Sequence, residues 1–138
     1  MTVHLIKLAV GVEDVDHMIE LQSLRLRRQG VLIHVTRGTP KQTEELLASG
    51  SIYWVIKKFI RIRQRLTGIE RGRDADGRPT CTLTLDPQLV LTELKEFRAF
   101  QGWRYLKSED APNDMNQKNE DTALPGEMAA ELRGLGLL

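Results

Sequence analysis

The sequence predicts an α+β domain with a mixed sheet and two or three flanking helices, and three observations support this class. Two segments in the first half have helical patterning, short runs rich in β-branched residues surround them, and a turn signal later separates two alternating segments. With 138 residues, of which 41% are apolar and 28% charged, the chain is long enough for one domain with its own core.

The first elements follow from periodicity and from the residues that end them. His4–Val10 is short and aliphatic, which indicates a strand. Residues 14–29 have apolar side chains at mostly helical spacing, acidic residues at the start and arginines at the end, and Gly30 is a typical helix stop. Val31–Val35 is apolar and rich in β-branched residues, so we expect a second strand there.

A second helix is predicted between Thr39 and Gly50. A threonine cap, a proline at the next position and Gln42 together resemble a capping box. Residues 51–66 then allow two interpretations: a helix that completes a DNA-reading helix-turn-helix, or strands in which apolar residues and arginines alternate. We favour strands, because tyrosine, tryptophan, valine and isoleucine are dense there, while alanine and glutamate are absent.

A long hairpin is predicted in the second half. Asp74–Gly77 is a turn signal, and residues 80–85 behind it alternate polar with apolar side chains, so residues 61–69 and 80–85 should pair. Residues 88–97 indicate another strand or a short helix. The end of the chain, residues 108–138, is expected to be an acidic linker with a short C-terminal helix packed on the domain.

Composition limits the compartment and the kind of partner. The chain has no apolar run of about twenty residues and no secretory leader, and its single cysteine, Cys81, is expected to be a buried thiol. We therefore expect a cytoplasmic protein with no membrane partner. Residues 1–106 carry 17 Lys and Arg against 12 Asp and Glu (net +5), while residues 107–138 carry 3 against 7 (net −4). Such a division is expected if the basic part binds an anionic partner, or if the acidic tail covers the basic face. It is also expected if these charges are ordinary solvated surface.

Three arginines are the first candidates for binding. On a strand, Arg61, Arg63 and Arg65 would share one face at about 6 to 7 Å spacing, which is close to the distance between successive phosphates. The alternative is an edge strand kept soluble by its charge.

Aromatic residues near the two ends of the strand-rich region are the second group. Trp54 and Trp103 could stack on bases, although such rings are more often part of the core of a small barrel. Gln101 and Arg104 could read a base edge or a phosphate beside them. The predicted nucleic-acid-binding residues are Lys41, Trp54, Lys57, Arg61, Arg63, Arg65, Gln101, Trp103 and Arg104.

Signs of catalysis are few. The three histidines are far apart and fit no metal-binding or hydrolytic spacing, so no catalytic residue, no metal ligand and no cofactor is predicted. His34 and Arg37, between a predicted strand and a predicted helix, could form an anion pocket, or His34 could be an ordinary core or surface histidine.

Two blocks resemble a bacterial family of short proteins of unknown function. They are GSIYWVIKKFIRIRQRL at residues 50–66, and LDP at residues 85–87 followed by AFQGWRYLKSEDAP at residues 99–112. The family carries the series YWVIK, RQ, LDP and FQGWRYLK across nearly its whole length, and the match covers most of this chain. This resemblance implies no activity.

A more distant resemblance is to the PUA-like superfamily, including its EVE and ASCH branches. It implies a small, mixed, strongly bent β-barrel over residues 1–107, with helices at its ends and with RNA or modified bases bound between barrel and helices. The resemblance depends on the order of the elements and on Arg37, Pro40-Lys41, Gly50 and Tyr53-Trp54.

Three functions remain open from the sequence. The first is a non-enzymatic module that binds RNA or another nucleic acid, including a modified base, through a basic and aromatic cleft. The second is an interaction or assembly module that pairs through a basic edge strand, and the third is an enzyme acting on a nucleotide. The sequence does not predict an oligomeric state.

Overall fold

The computed structural model describes residues 2–98, 100 and 102–115. They form seven strands, two α-helices and one turn of 3₁₀-helix. The strands are β1 (Val3–Leu8), β2 (Leu32–Thr36), β3 (Ser51–Ile56), β4 (Phe59–Arg73), β5 (Pro79–Leu85), β6 (Val90–Glu96) and β7 (Trp103–Lys107). The helices are α1 (Val15–Gln29) and α2 (Thr43–Ser49), and the 3₁₀ turn is Ser108–Asp110. The predicted α+β class is confirmed.

Helix α1 begins and ends where the sequence predicts. The Asp14 carboxylate accepts a hydrogen bond from the backbone N–H of His17 at 2.8 Å, which caps the first turn. Gly30 ends the helix with a left-handed φ of 76°, which only glycine adopts at little cost. Local sequence is therefore sufficient to define this helix.

Helix α2 begins later than its predicted capping box. The helix starts at Thr43 with Gln42 as its N-cap, and no side chain caps it. Instead, the Tyr105 hydroxyl accepts hydrogen bonds from the backbone N–H groups of Lys41 and Gln42, at 2.8 and 3.1 Å. The prediction of a cap at Thr39 is wrong, because an acceptor more than sixty residues away satisfies donors in the approach to the helix.

The segment predicted as strands is confirmed as β3 and β4, and β4 is the longest strand of the sheet. The path of the sheet is β2-β5-β4-β3-β1-β7, with β6 also paired to β4. Strands β1 and β3 are parallel, and the other neighbouring strands are antiparallel. The predicted hairpin is β4 with β5. Both ends of this path are open in the described residues, so the confirmed architecture is a mixed, seven-stranded sheet with two helices.

Strand β4 changes partners along its length. Its first half pairs with β3 and β6, and its second half pairs with β5 after a register shift between Leu66 and Gly68. Register shifts of this kind bend a strand and increase its twist. Because the first half of β4 has a partner strand on each side, the segment that carries Arg61, Arg63 and Arg65 lies in the interior of the sheet.

The two faces of the sheet have separate apolar clusters. The helix-side cluster includes Met18 of α1, Leu46 of α2, and Trp54, Ile62 and Leu66 of the sheet. The opposite cluster contains Ile6, Tyr53, Val55, Ile60 and Leu106, and Phe97, Phe100 and Ala111 pack against it. This division determines which side chains can share a site.

The beginning of the predicted C-terminal linker lies against the sheet. Asp114 forms an isolated antiparallel bridge with Thr92, and the Glu93 N–H donates to the Asn113 carbonyl at 2.9 Å. The predicted C-terminal helix and the rest of the linker lie outside the described residues, so the division at residue 107 stays a prediction. Within the described ranges, no helix has both the length and the apolar character needed to cross a bilayer.

Candidate functional site

Arg63 and Arg65 of β4 lie on the face of the sheet opposite the helix-side cluster. Along the strand they alternate with Ile62 and Leu66, which pack into that cluster, and successive side chains of a strand point to opposite faces. The prediction that Arg61 shares this face does not follow, because Arg61 lies at a register shift between Ile60 and Ile62, and these two isoleucines pack into different clusters.

A polar pocket of about 300 Å³ opens on this arginine face. Its volume is at the lower end of the range for ligand sites, about 300–1,000 Å³. We call it the arginine pocket and define it by His4, Ser51, Tyr53, Arg63, Arg65 and Asp114. Ser49 at the end of α2 adds a further hydroxyl.

Arg63 holds a carboxylate in a two-point clamp. Its Nε and Nη2 donate to the two carboxylate oxygens of Asp114 at 2.7 and 2.6 Å, and its Nη1 donates to Ser51 Oγ at 3.2 Å. The hydrogen bond from Arg63 lowers the pKa of Asp114, and the same bond raises the pKa of Arg63. Three of the five N–H donors of this guanidinium are therefore used.

Arg65 caps the C-terminus of α2. It donates to the carbonyl oxygens of Leu47, Ala48 and Gly50 at 3.0, 2.6 and 2.8 Å. A cation at this position is favourable because the last carbonyls of a helix carry partial negative charge. Two of its five donors have no bond within the described residues, so Arg65 still adds positive charge and hydrogen-bonding capacity to the pocket.

His4 is a neutral member of the pocket. Its Nδ1 accepts a hydrogen bond from the Ser51 backbone N–H at 3.0 Å, which puts its proton on Nε2. Burial lowers its pKa, with further contributions from Arg63 and Arg65. Its ring packs edge to face against Tyr53, with centroids 5.0 Å apart, and burial raises the pKa of that tyrosine.

The lining residues therefore carry two positive charges and one negative charge at neutral pH. The hydroxyls of Ser49, Ser51 and Tyr53 supply further hydrogen-bonding groups. Guanidinium forks and hydroxyls are the groups that proteins use to hold carboxylates and phosphates. The arginine pocket can accept an anion.

Arg61 and Lys57 lie outside this pocket. Arg61 donates through Nε to the Ile56 carbonyl at 3.1 Å and lies over the Phe59 ring, 5.6 Å from its centroid. Lys57 forms an exposed ion pair with Glu13 at 3.0 Å. Both cations lie at or beside the turn between β3 and β4, and both already have partners.

Three further predicted residues lie near the start of α2. Lys41 precedes the helix, and Trp103 and Arg104 belong to the outer strand β7. The Trp103 indole donates to the Gly38 carbonyl at 2.8 Å, and Lys41 contributes its backbone N–H to Tyr105. Arg104 is exposed and lies over the Phe100 ring at 4.7 Å. Gln101, also predicted, lies outside the described residues.

Trp54 belongs to the helix-side cluster and is only 3% exposed. Its indole N–H donates to Gln64 Oε1 at 2.9 Å, and Gln64 exchanges two hydrogen bonds with Gln22 of α1, at 2.8 and 2.9 Å. Trp54 is thus on the opposite face from Arg63 and Arg65, so they do not form one basic and aromatic cleft.

His34 and Arg37 do not form a joint pocket. Arg37 is paired with Asp74 at 2.7 Å, whereas His34 packs edge to face on Trp54, with centroids 5.2 Å apart. His34 instead lines a cavity of about 120 Å³ beside α1, together with Lys7 and Arg25. We call this the His34 cavity.

Sequence reasoning missed His4, Ser51 and Asp114 in the arginine pocket, and Lys7 and Arg25 in the His34 cavity. The strand periodicity that places Arg63 also places its cross-strand neighbours on the same face, but only once the pairing of β1, β3 and β4 is known. Asp114 gives no local signal, since it lies in a polar stretch 51 residues from its partner. In the described part of the chain, no group of three or more His, Cys, Asp or Glu is placed to hold a metal ion.

Comparison with protein families gives one match, which covers residues 5–138. The chain belongs to the DUF1489 family. This family is described as a protein of unknown function, which agrees with the kind of family that the sequence blocks resemble. Comparisons with curated proteins and with solved structures gave no match. Membership in the DUF1489 family therefore brings no activity with it.

Proposed function

We propose that this DUF1489 chain is a non-enzymatic nucleic-acid-binding module that holds phosphate groups, of RNA in the first place, in the arginine pocket. One observation carries the proposal: the Arg63 fork clamps the Asp114 carboxylate at 2.7 and 2.6 Å beside a second arginine, in a pocket that is open to solvent.

The clamp has the geometry that phosphate also uses. A guanidinium binds a carboxylate or a phosphate through two parallel hydrogen bonds, and such charge-assisted bonds are about twice as strong as neutral ones. A phosphate that replaced Asp114 would meet Arg63 through its fork and would gain Arg65 and the Ser51 hydroxyl nearby. Asp114 is then a competitor inside the protein for the same donors.

A longer polyanion could reach further across the same face. Arg104, Ile6, Tyr53 and Arg63 are successive register partners across β7, β1, β3 and β4. Three strand spacings separate Arg104 from Arg63, which is roughly 14 Å. A single-stranded nucleic acid crossing the sheet could contact both arginines and could stack near Phe100, which Arg104 covers.

The proposal includes the PUA-like relation and leaves out Trp54 as a stacking residue. A strongly bent barrel needs a strand that serves two parts of the sheet, and β4 has this property at its register shift. Trp54 cannot join the arginines because it lies in the helix-side cluster. Recognition would therefore depend on phosphate and on the surface around Arg104.

The test is fluorescence anisotropy with labelled single-stranded RNA, hairpin RNA and single-stranded DNA at several salt concentrations. We expect binding that weakens steeply with salt, because phosphate contacts release counterions. Arg63→Gln should weaken binding and reduce the slope of log affinity against log salt by about one. Asp114→Asn should strengthen binding, because it removes the competing carboxylate.

The matched control is Arg71→Gln, which changes an exposed arginine in the far half of the same strand. It should have a smaller effect than Arg63→Gln. The proposal fails if no nucleic acid binds at low salt, if the control weakens binding as much as Arg63→Gln, or if Asp114→Asn weakens it.

Assembly through the arginine-bearing strand has less support. A strand can pair with a partner only through a free edge, whereas this half of β4 is paired with β3 on one side and β6 on the other. No second function is therefore proposed.

A further inference from the structure

We propose that the His34 cavity is a second, separate binding site that takes a small organic carboxylate, with the carboxylate held by Lys7 and Arg25 and the aliphatic body against the apolar wall. The cavity lies between α1 and strands β1 and β2 and has a volume of about 120 Å³. This volume is enough for several water molecules or a short organic chain.

The cavity is on the other side of the sheet from the arginine pocket. Its lining includes Met18, Leu32 and Trp54 of the helix-side cluster, whereas the arginine pocket includes Tyr53 of the opposite cluster. Because the two sites lie on opposite faces of the sheet, one chemical group cannot occupy both of them.

Two cations of the cavity lack a negative partner. Lys7 on β1 is half-buried and Arg25 on α1 is exposed, and neither forms an ion pair with any carboxylate of the described residues. Burial lowers the pKa of Lys7, which reflects the cost of a charge in this position. A bound anion would offset that cost, because partly buried charges are stabilised by an opposite charge.

His34 supplies a polar group that is not yet used. Its Nε2 is buried and has no hydrogen-bond partner among the described residues. Burial, Lys7 and Arg25 lower the pKa of His34 to about 4, so the ring is neutral at pH 7 and can either donate or accept at Nε2. A carboxylate beside it could accept a hydrogen bond from the ring and would raise the pKa of His34.

The remaining wall is apolar and partly exposed. Val10 and Ile33 line the cavity and are 79% and 39% exposed, and Met18 lies deeper, at 5%. An aliphatic body covering the two exposed side chains would remove apolar surface from water. A small, largely apolar space suits a singly charged carboxylate better than a phosphate dianion, which loses more hydration on entry.

The test uses butyrate as the probe, butyramide as its neutral isostere, and inorganic phosphate as the alternative anion. Binding is measured by calorimetry and by the NMR signals of the His34 ring. We expect saturable butyrate binding that shifts the ring signals and raises the His34 pKa, and at least tenfold weaker binding of butyramide and of phosphate.

The variants Lys7→Met and Arg25→Met should each weaken butyrate binding by at least fivefold. Their matched controls are Lys107→Met on the outer strand and Arg28→Met in the last turn of α1, both exposed. The proposal is overturned if butyramide binds as tightly as butyrate, if phosphate binds more tightly, or if the controls weaken butyrate binding as much as the site variants. It is also overturned if butyrate at millimolar concentration leaves the His34 signals unchanged. None of these results bears on the arginine pocket, since RNA binding is measured separately.

Discussion

The half-buried imidazole of His34 is an acid-sensitive group of this protein. Burial first, and then Lys7 and Arg25, lower its pKa from 6.5 to about 4. Since the folded-state value is the lower one, the unfolded chain takes up the proton first as the pH falls. This uptake lowers the free energy of unfolding. The loss is absent above pH 6.5, grows as the pH falls from 6.5 to about 4, and is constant below that window.

The corresponding prediction is a flatter stability profile for His34→Gln. Between pH 6.5 and pH 4, the free energy of unfolding of the unchanged chain should fall more steeply than that of the variant, because glutamine does not titrate. Urea denaturation at four pH values across this window measures both slopes. Equal slopes would show that His34 does not contribute.

At the scale of elements, the junction between α2 and β3 is closely packed around Gly50. Gly50 has an extended backbone, so its φ of −85° does not require glycine. Its space does: an added Cβ would lie 2.6 Å from the Val3 carbonyl oxygen and 2.7 Å from that of Leu46. The Gly50 carbonyl also accepts a hydrogen bond from Arg65, so this junction positions one side of the arginine pocket.

Gly50→Ala should therefore destabilise the fold by about 1–3 kcal/mol, which is typical of overpacking against atoms that cannot move aside. Gly72→Ala is the control, because its Cβ would lie 3.4 Å from the Thr80 hydroxyl, an ordinary contact. Thermal and urea unfolding of the two variants give the comparison. If both variants lower the free energy of unfolding equally, the close approach of the Val3 and Leu46 carbonyl oxygens does not explain the glycine at position 50.

At the scale of the whole molecule, one buried polar network joins the helix layer to the sheet. Gln64 is fully buried, accepts from Trp54 and Gln22, and donates to Gln22 and to the Asp86 carbonyl at 3.0 Å. Every polar atom of its amide is thus used, and a satisfied buried network of this kind favours one arrangement of the core. The network holds α1 in the position that closes the His34 cavity.

Gln64→Leu should cost at least about 2 kcal/mol, because each buried group left without a partner costs about 1–3 kcal/mol. Trp54 Nε1 and the Asp86 carbonyl would both lose their bonds. Gln29→Leu, an exposed glutamine at the end of α1, is the control and should change stability little. Urea denaturation decides between them, and equal stability of Gln64→Leu and the unchanged chain would contradict a structural role for the network.

Periodicity along the chain was sufficient for much of the fold. The caps of α1, the pairing of β4 with β5 and the shared face of Arg63 and Arg65 all depend on residues close together in sequence. The start of α2 could not be predicted in this way, because Tyr105 satisfies backbone donors from a distant strand. Local patterns report local geometry, and this acceptor is not local.

The candidate sites show the same division. The sequence by itself determined that Arg63 and Arg65 share one face of β4, because a strand of period two separates them from Ile62 and Leu66. Only the tertiary structure decided that Trp54 faces the other way, that Asp114 occupies Arg63, and that Lys7 meets Arg25 beside His34. The physical reason is that contacts between distant residues depend on the order of the strands and on the packing of the helices. That arrangement minimises the free energy of the whole chain, so no single segment determines it.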